Sequence, residues 1–255
     1  MSDATDHVLD QLLAAFRSGA AEPAGLAGTL DMDTAYSMQV RLLHRLRGGG
    51  AKHTGWKIGQ TSAAMRAERG EHQPAPGFLL ADGAHDSGDT ADLSLADEWF
   101  IEPELAFVVG SVIRGPGVDA QMVATAVAST HPAFELVKRV PGWNDRALLR
   151  AVNGTNAGYV LGPAQAGAPA AAALDALAVR VLCDGAEVAS VRGGEVNDNP
   201  LESTAWLANY LANLGEALEP GQIVLTGSYT ALLPLASGQS WRATIGEQAV
   251  TLDTA

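Results

Sequence analysis

Glu102 and Glu104 stand two residues apart in 100-FIEPELAFVVG-110, a segment otherwise rich in Phe, Ile, Leu and Val. Such a segment reads as a strand, and residues i and i+2 of a strand project from one face. Two like charges side by side repel, and if they face inward each also loses hydration. A divalent cation offsets both penalties, and carboxylate oxygens suit Mg²⁺ or Mn²⁺. Two carboxylates make an incomplete site. Glu135, alone in the apolar run 133-AFELV-137, is the third candidate. The competing reading puts Glu102 and Glu104 on the solvent face of an edge strand and pairs Glu135 with Lys138 or Arg139. Ile101 and Leu105 alternate with the glutamates, but Phe107, Val108 and Val109 leave no polar face further on. Pro103 donates no ladder bond and suits an edge or irregular strand.

The surrounding elements can be read from periodicity. Leu9, Leu12, Leu13 and Phe16 predict a helix over 6–18. Tyr36, Val40, Leu43 and Leu46 predict a second over 33–47, capped by Asp33 and stopped by Gly48-Gly49-Gly50. Strands and loops follow to about residue 115. A helix over 118–129 and a strand over 133–140 come next, then a helix over 144–152 and a short strand over 158–162. The alanine-rich 164–174 reads as a loop, because Pro163, Gly167 and Pro169 interrupt it. Residues 178–191 read as a hairpin turning on Asp184-Gly185. Asn199, Pro200 and Glu202 mark a capped helix that ends at Gly215. Strands are expected over 222–228 and within 240–253. The whole reads as α+β: a helical cap over 1–50 and a β-rich body over 51–255.

Composition narrows the function classes. The chain has 255 residues, 47% of them hydrophobic, enough for a substantial core. Its formal net charge of −13 argues against nucleic acid or an anionic membrane as partner. The single cysteine, Cys183, rules out a disulfide framework and a cysteine-based metal site. The N-terminal MSDATDHVLD lacks the basic and apolar regions of a signal peptide, so a cytoplasmic enzyme is the expectation. Neither HExxH nor GxSxG is present. The stretch 48-GGGAKHTG-55 lacks the ending of a phosphate loop and follows a helix, so it reads as a linker.

Seven segments in order resemble the fumarylacetoacetate hydrolase superfamily, in its hydratase and decarboxylase branch. They are 35-AYSMQ-39, 55-GWKIGQTSAAM-65, 101-IEPELAFV-108, 133-AFELV-137, 153-NGTNAGYVLG-162, 200-PLESTAWLAN-209 and 222-QIVLTGSYT-230, and they span nearly the whole chain. The resemblance implies a β-rich fumarylacetoacetase-like body and Mg²⁺ or Mn²⁺ held by Glu102, Glu104 and Glu135. It implies Lys57 as a pocket residue that hydrogen-bonds the substrate or aids proton transfer and Asp82 as a general acid/base, against the plainer readings of a surface lysine and an Asp-Gly turn. It places Asn153 near the metal or its water, and Thr226, Gly227 and Ser228 against substrate. It also implies Gln60, Thr61 and Ser62 as candidates to reach the substrate carboxylate. Arg66, Arg69 and Arg192 are candidate readers of a second carboxylate.

The activity so implied is a lyase that adds water to a 2-hydroxy-dienoate or 2-oxo-enoate acid through a metal-stabilised enolate. The alternatives are decarboxylation of a 4-oxalocrotonate-like diacid, a related tautomerisation, and a non-catalytic partner subunit. Homo-oligomers are implied, as are complexes with a hydratase or decarboxylase paralogue or a downstream aldolase. An acylpyruvate hydrolase is disfavoured, since no His-Glu dyad is evident in the N-terminal part. Several positions depart from the family pattern: Val152 stands where Asp is usual, Trp99-Phe100 replaces Pro-Arg, 74-PAPG-77 lacks acidic or aromatic character, and Asp198-Asn199 precedes Pro200.

Overall fold

The computed structural model of the chain describes residues 3–94, 98–139 and 141–255, with the side chains of Asp3, Ala4 and Arg69 outside that description. Two helices come first, α1 (Asp3–Ser18) and α2 (Met32–Gly48). The cap of α2 is Asp31, whose side chain accepts from Thr34 N at 2.8 Å. Asp33 lies in the first turn instead, because Asp31 is the residue with extended backbone and an amide three positions on. Strand β1 (His53–Gly59), helix α3 (Ala63–Arg69) and strand β2 (Ala75–Leu80) follow. One 3₁₀ turn (Ala81–Gly83) leads into β3 (Ala84–Asp86), and β4 (Thr90–Ala91) precedes the long β5 (Glu98–Val109).

Helix α4 (Ala120–Ala126) is shorter than periodicity predicts. The chain turns into strand β6 (Val127–Arg139) at once, because Val127 is already in register with Val109 of β5. The expected last residue of that strand, Val140, lies outside the described residues. Helix α5 (Arg146–Ala151) and strands β7 (Asn156–Leu161) and β8 (Gln165–Ala166) come next. The alanine segment does form a short helix, α6 (Ala171–Asp175). It starts just past Pro169, where only good helix formers remain, and Leu174 anchors it in the core. The predicted hairpin is β9 (Ala178–Cys183) and β10 (Ala186–Arg192), with Asp184 and Gly185 at φ 49° and 80°. A single turn α7 (Gly193–Val196) leads to α8 (Pro200–Ala212), where Asn199 accepts from Leu201 N at 3.1 Å. Strands β11 (Ile223–Ser228), β12 (Leu233–Leu235), β13 (Ser240–Ile245) and β14 (Gln248–Thr254) end the chain.

The strands form two sheets. In the larger the order is β2-β1-β11-β5-β6-β7-β3. Its two ends, β2 and β3, are consecutive pieces of chain separated by one 3₁₀ turn, so the sheet curls into a barrel that the chain closes with no ladder between those two strands among the described residues. Leu79, Ala106, Ala133, Tyr159, Ile223 and Leu225, from five of the strands, pack together inside it. Trp56, Phe78, Phe107, Phe134 and Val224 have the opposite parity and belong to the main core outside. The smaller sheet has the order β10-β9-β13-β14-β4. β5 pairs with β11 on one side and β6 on the other, so it is an interior strand and not an edge. Pro103 is tolerated because its backbone faces the break between β11 and β12, where Tyr229 N donates to its carbonyl at 2.9 Å. Among the described residues, no helix is long and apolar enough to cross a membrane.

Candidate metal centre

Parity alone puts Glu102 and Glu104 on one face, and register supplies the third carboxylate. Glu102 lies directly opposite Glu135 on β6, and Ala106 and Ala133 share their parity, so all three side chains point into the barrel. One oxygen from each lies within 4.8 Å of the others. Glu104 and Glu135 are each 1% exposed, and Glu102 is half-buried.

Three acidic groups so placed need opposing charge. Lys57, on β1 and only 8% exposed, sets its Nζ 3.4 Å from Glu135 Oε1. Asn156 Nδ2 donates to the same oxygen at 2.9 Å. Gly227 N donates to Glu104 Oε2 at 2.8 Å, because β11 bulges between Leu225 and Ser228 and turns that amide off the ladder. The compensation is incomplete. Burial first, then the charges of Glu135 and Glu102, hold the Glu104 carboxyl well above its ordinary range, against the pull of Gly227 N–H and Lys57. One ammonium facing three carboxylates leaves room for two positive charges, and the donor set is all oxygen. Both properties fit Mg²⁺ or Mn²⁺.

The neighbourhood of Lys57 is cut to its shape. Lys57 opposes Gly77 across β1 and β2. A Cβ built on Gly77 would fall 2.8 Å from Lys57 Cε and 3.0 Å from Asn153 Oδ1. Gly77→Ala is therefore expected to push the ammonium off Glu135 and, by removing a cation that competes for that carboxylate, to tighten divalent-ion binding about 10-fold, roughly 1.4 kcal/mol of relieved repulsion. Calorimetric titration with Mn²⁺ reads this directly, and unchanged affinity would refute it.

The other predicted residues fall in three groups. Asp82 is exposed on the 3₁₀ turn and lines a cavity of about 260 Å³ that also holds Phe78, Val152, Lys138, Asn153 and Asn156. Through Asn156 that cavity adjoins Glu135. Asn153, at φ 71°, spends its amide on β2, accepting from Phe78 N at 2.7 Å and donating to Phe78 O at 2.9 Å. Gln60, at φ 57°, and Thr61 follow β1, where the Thr61 hydroxyl donates to Asn197 Oδ1 and leaves no space for a Cβ on Gly227. Ser62 caps α3, accepting from Met65 N at 3.4 Å. The Thr226 hydroxyl donates to Leu105 O at 2.8 Å and Ser228 to Thr230 O at 2.9 Å, which shapes the bulge that presents Gly227.

Arg66 is engaged by Asp198 at 3.1 Å and by the Gln60 carbonyl at 2.7 Å. Arg192 is exposed at the end of β10 in the other sheet, and the Arg69 side chain lies outside the described residues. Trp99 donates its indole N–H to Leu93 O at 2.8 Å, and Phe100 lies under Arg139 at 5.0 Å. Sequence reasoning passed over Asn156 and Asn197. Both are ordinary polar residues until β6–β7 pairing and the loop after β1 bring them against the site.

Comparison with known proteins places this arrangement. The sequence model of the fumarylacetoacetate (FAA) hydrolase C-terminal family matches residues 60–252. The 2-hydroxyhexa-2,4-dienoate hydratase of Comamonas testosteroni is 30% identical over 214 residues, covering 82% of this chain and 80% of that one. The TodF product hydratase of Pseudomonas putida is 31% identical over 246 residues, covering 90% and 87%. A solved 4-oxalocrotonate decarboxylase from Pseudomonas putida G7, complexed with magnesium and adipate, superposes with a TM-score of 0.87 at 25% identity, covering 99% of this chain and 98% of that one.

Proposed function

Because this chain belongs to the fumarylacetoacetate hydrolase family, we propose that it is a divalent-metal-dependent hydro-lyase that adds water to a 2-hydroxy-dienoate or 2-oxo-enoate acid. The observation that carries this reading is the three-carboxylate cluster inside one end of the barrel, with Lys57 against one of its members. Glu102, Glu104 and Glu135 would hold Mg²⁺ or Mn²⁺. When bound, the cation supplies Lewis acidity to the carboxylate and 2-oxygen of the acid, which stabilises enolate charge on that oxygen.

The protein's own groups then have defined tasks. A dienol must lose its 2-hydroxyl proton and gain one at the far end of the conjugated system. Water then adds H and OH across the activated double bond, with no change of oxidation state. Lys57 is the group beside the carboxylates that can take up or return a proton, held in place by Glu135. Asp82 stands in the adjoining cavity and serves as general acid/base for the carbon that is protonated or hydrated. Asn153 is a positioning residue, fixing the β2 backbone under Lys57. Thr61, Thr226 and Ser228 shape the bulge that presents Gly227 N–H to Glu104, and apolar Phe78 and Val152 limit water on the cavity side. Residues 1–50 act as a helical cap on the 51–255 body, which assembles as a homo-oligomer.

Decarboxylation of a 4-oxalocrotonate-like diacid is the second reading, favoured by superposition on that decarboxylase along almost the entire chain. The same electron sink would accept the pair released with CO₂, and Lys57 or Asp82 would protonate the resulting carbon. The purified homo-oligomer, stripped with EDTA and resupplied with Mg²⁺, is expected to consume dienoate absorbance only with the metal present. Release of CO₂ from a diacid would favour the second reading. Turnover indifferent to both EDTA and Mg²⁺ would defeat both, and absence of turnover by the homo-oligomer would point to a partner-subunit role.

A further inference from the structure

Three described non-glycine residues have positive φ: Asp184 in the hairpin turn, and Gln60 and Asn153. The latter two sit at the same end of the barrel as the carboxylates. Backbone held in that region costs about 1–3 kcal/mol and persists where the surroundings impose it. Gln60 lines a pocket with Leu149, Arg146 and Arg150 of α5. Arg146 is engaged by Glu71. Arg150 is different. It is half-buried, and among the described residues its guanidinium has neither a hydrogen bond nor an ion pair. The Gln60 side-chain amide likewise has no partner among them, although its carbonyl holds Arg66.

The backbones that carry both groups are tied to segments flanking the metal centre. Thr61, adjacent to Gln60, packs against Gly227, the donor to Glu104. Buried Gln39 of α2 donates to both Arg150 O at 2.8 Å and Pro76 O at 3.2 Å, and so ties α5 to β2 beside Gly77, the residue facing Lys57. Asn153 N in turn donates to Arg150 O at 3.0 Å. A half-buried, unpaired guanidinium in a chain of net charge −13 is an invitation to an anion, and Arg presents a planar fork that matches a carboxylate.

We propose that Arg150 and Gln60 form a second carboxylate subsite, so that the substrate is a 2-oxo or 2-hydroxy-dienoate diacid whose near carboxylate and 2-oxygen face the glutamate cluster and whose far carboxylate is read by Arg150. This rests on the metal-dependent reading of the same site. Arg150 is a specificity-determining residue that touches only the unreactive end of the substrate.

The probes are 2-oxoadipate and 2-oxohexanoate, which share a 2-oxo acid head and six carbons and differ only in the far carboxylate. With Mg²⁺ present, calorimetry on the full-length wild type is expected to show about 10- to 100-fold tighter binding of the diacid, the scale of a charge-assisted hydrogen bond. In Arg150→Leu the preference should collapse to about one, and Arg150→Lys should restore part of it. Unchanged melting temperatures check that both variants fold. A preference that survives in Arg150→Leu overturns the subsite, as does equal binding of the two acids, or no binding of either, by wild type. The same proteins assayed for dienoate turnover separate the two levels of inference. A diacid preference lost with Arg150 but no turnover leaves the subsite standing and removes the lyase reading. Turnover without any diacid preference does the reverse.

Discussion

Glu104→Gln is expected to raise the melting temperature of the metal-free protein while abolishing its response to Mg²⁺. Glu104 is 1% exposed and faces two further carboxylates, so its charged form is disfavoured by burial and by repulsion. The amide keeps the size of the side chain and an oxygen to accept from Gly227 N. It removes the carboxyl whose ionisation burial and the two neighbouring carboxylates oppose, a change worth roughly 1–4 kcal/mol in stability. For a chain of this length that corresponds to roughly 2–4 °C in Tm per kcal/mol.

The pH dependence has a definite sign. Below the ordinary carboxyl value of 4.5 the folded and unfolded states are both protonated and the penalty is absent. Above it the unfolded state ionises first while folded Glu104 keeps its proton. Stability of the wild type then falls as pH rises, until the folded carboxyl ionises as well. The Tm gap between Glu104→Gln and wild type should therefore widen with pH through that window. Mg²⁺ reverses the ranking, since it pairs the wild-type carboxylate and finds a ligand missing in the variant. A loss of at least ~100-fold in metal affinity is expected, no less than removal of an outer-shell group would cause. Differential scanning fluorimetry with and without Mg²⁺ between pH 5 and 8 decides the matter. A metal-free variant less stable than wild type would contradict it.

Lys57→Met should move the same observable the opposite way. Lys57 is the ammonium that faces Glu135, at 3.4 Å. Its removal leaves a buried carboxylate held only by the Asn156 amide, and breaking a buried pair from one side costs about 3–5 kcal/mol. The metal-free variant should melt well below wild type, and Mg²⁺ should recover much of the loss by supplying the missing positive charge. Activity should not recover with it. A lost proton-transfer group costs about 10²–10⁴-fold in turnover. Measuring Tm and turnover together at saturating Mg²⁺ separates the two effects. Near-wild-type turnover in the metal-loaded variant would exclude Lys57 from proton transfer. Opposite Tm shifts from Glu104→Gln and Lys57→Met also test whether the cluster carries excess negative charge, since a neutral cluster would lose stability from both.

Much of the architecture was legible from local patterns. The Asp184-Gly185 hairpin, the Asn199-Pro200 helix start and the strand carrying 222-QIVLTGS-228 all rest on chemistry within a few residues, and all are present. Where local signals competed with pairing, pairing prevailed. Val127 reads as the end of a helix, yet its register with Val109 makes it the start of β6. Pro103 reads as a residue of an edge or irregular strand, and it sits in an interior strand at an irregularity, the gap between two partners.

The same division applies to the site. Sequence alone determined that Glu102 and Glu104 share a face, because alternation along a strand is covalent geometry and needs no partner. It also placed Glu135 in an apolar run where a lone carboxylate calls for compensation. Only the tertiary structure decided that Glu135 stands opposite Glu102 and that Lys57 reaches it over Gly77. The bulge that turns Gly227 N–H toward Glu104 and the meeting of Arg150 with Gln60 also belong to it. Those facts depend on register and closure between segments distant in the chain, and a shift of one residue in register would carry every one of these side chains to the other face.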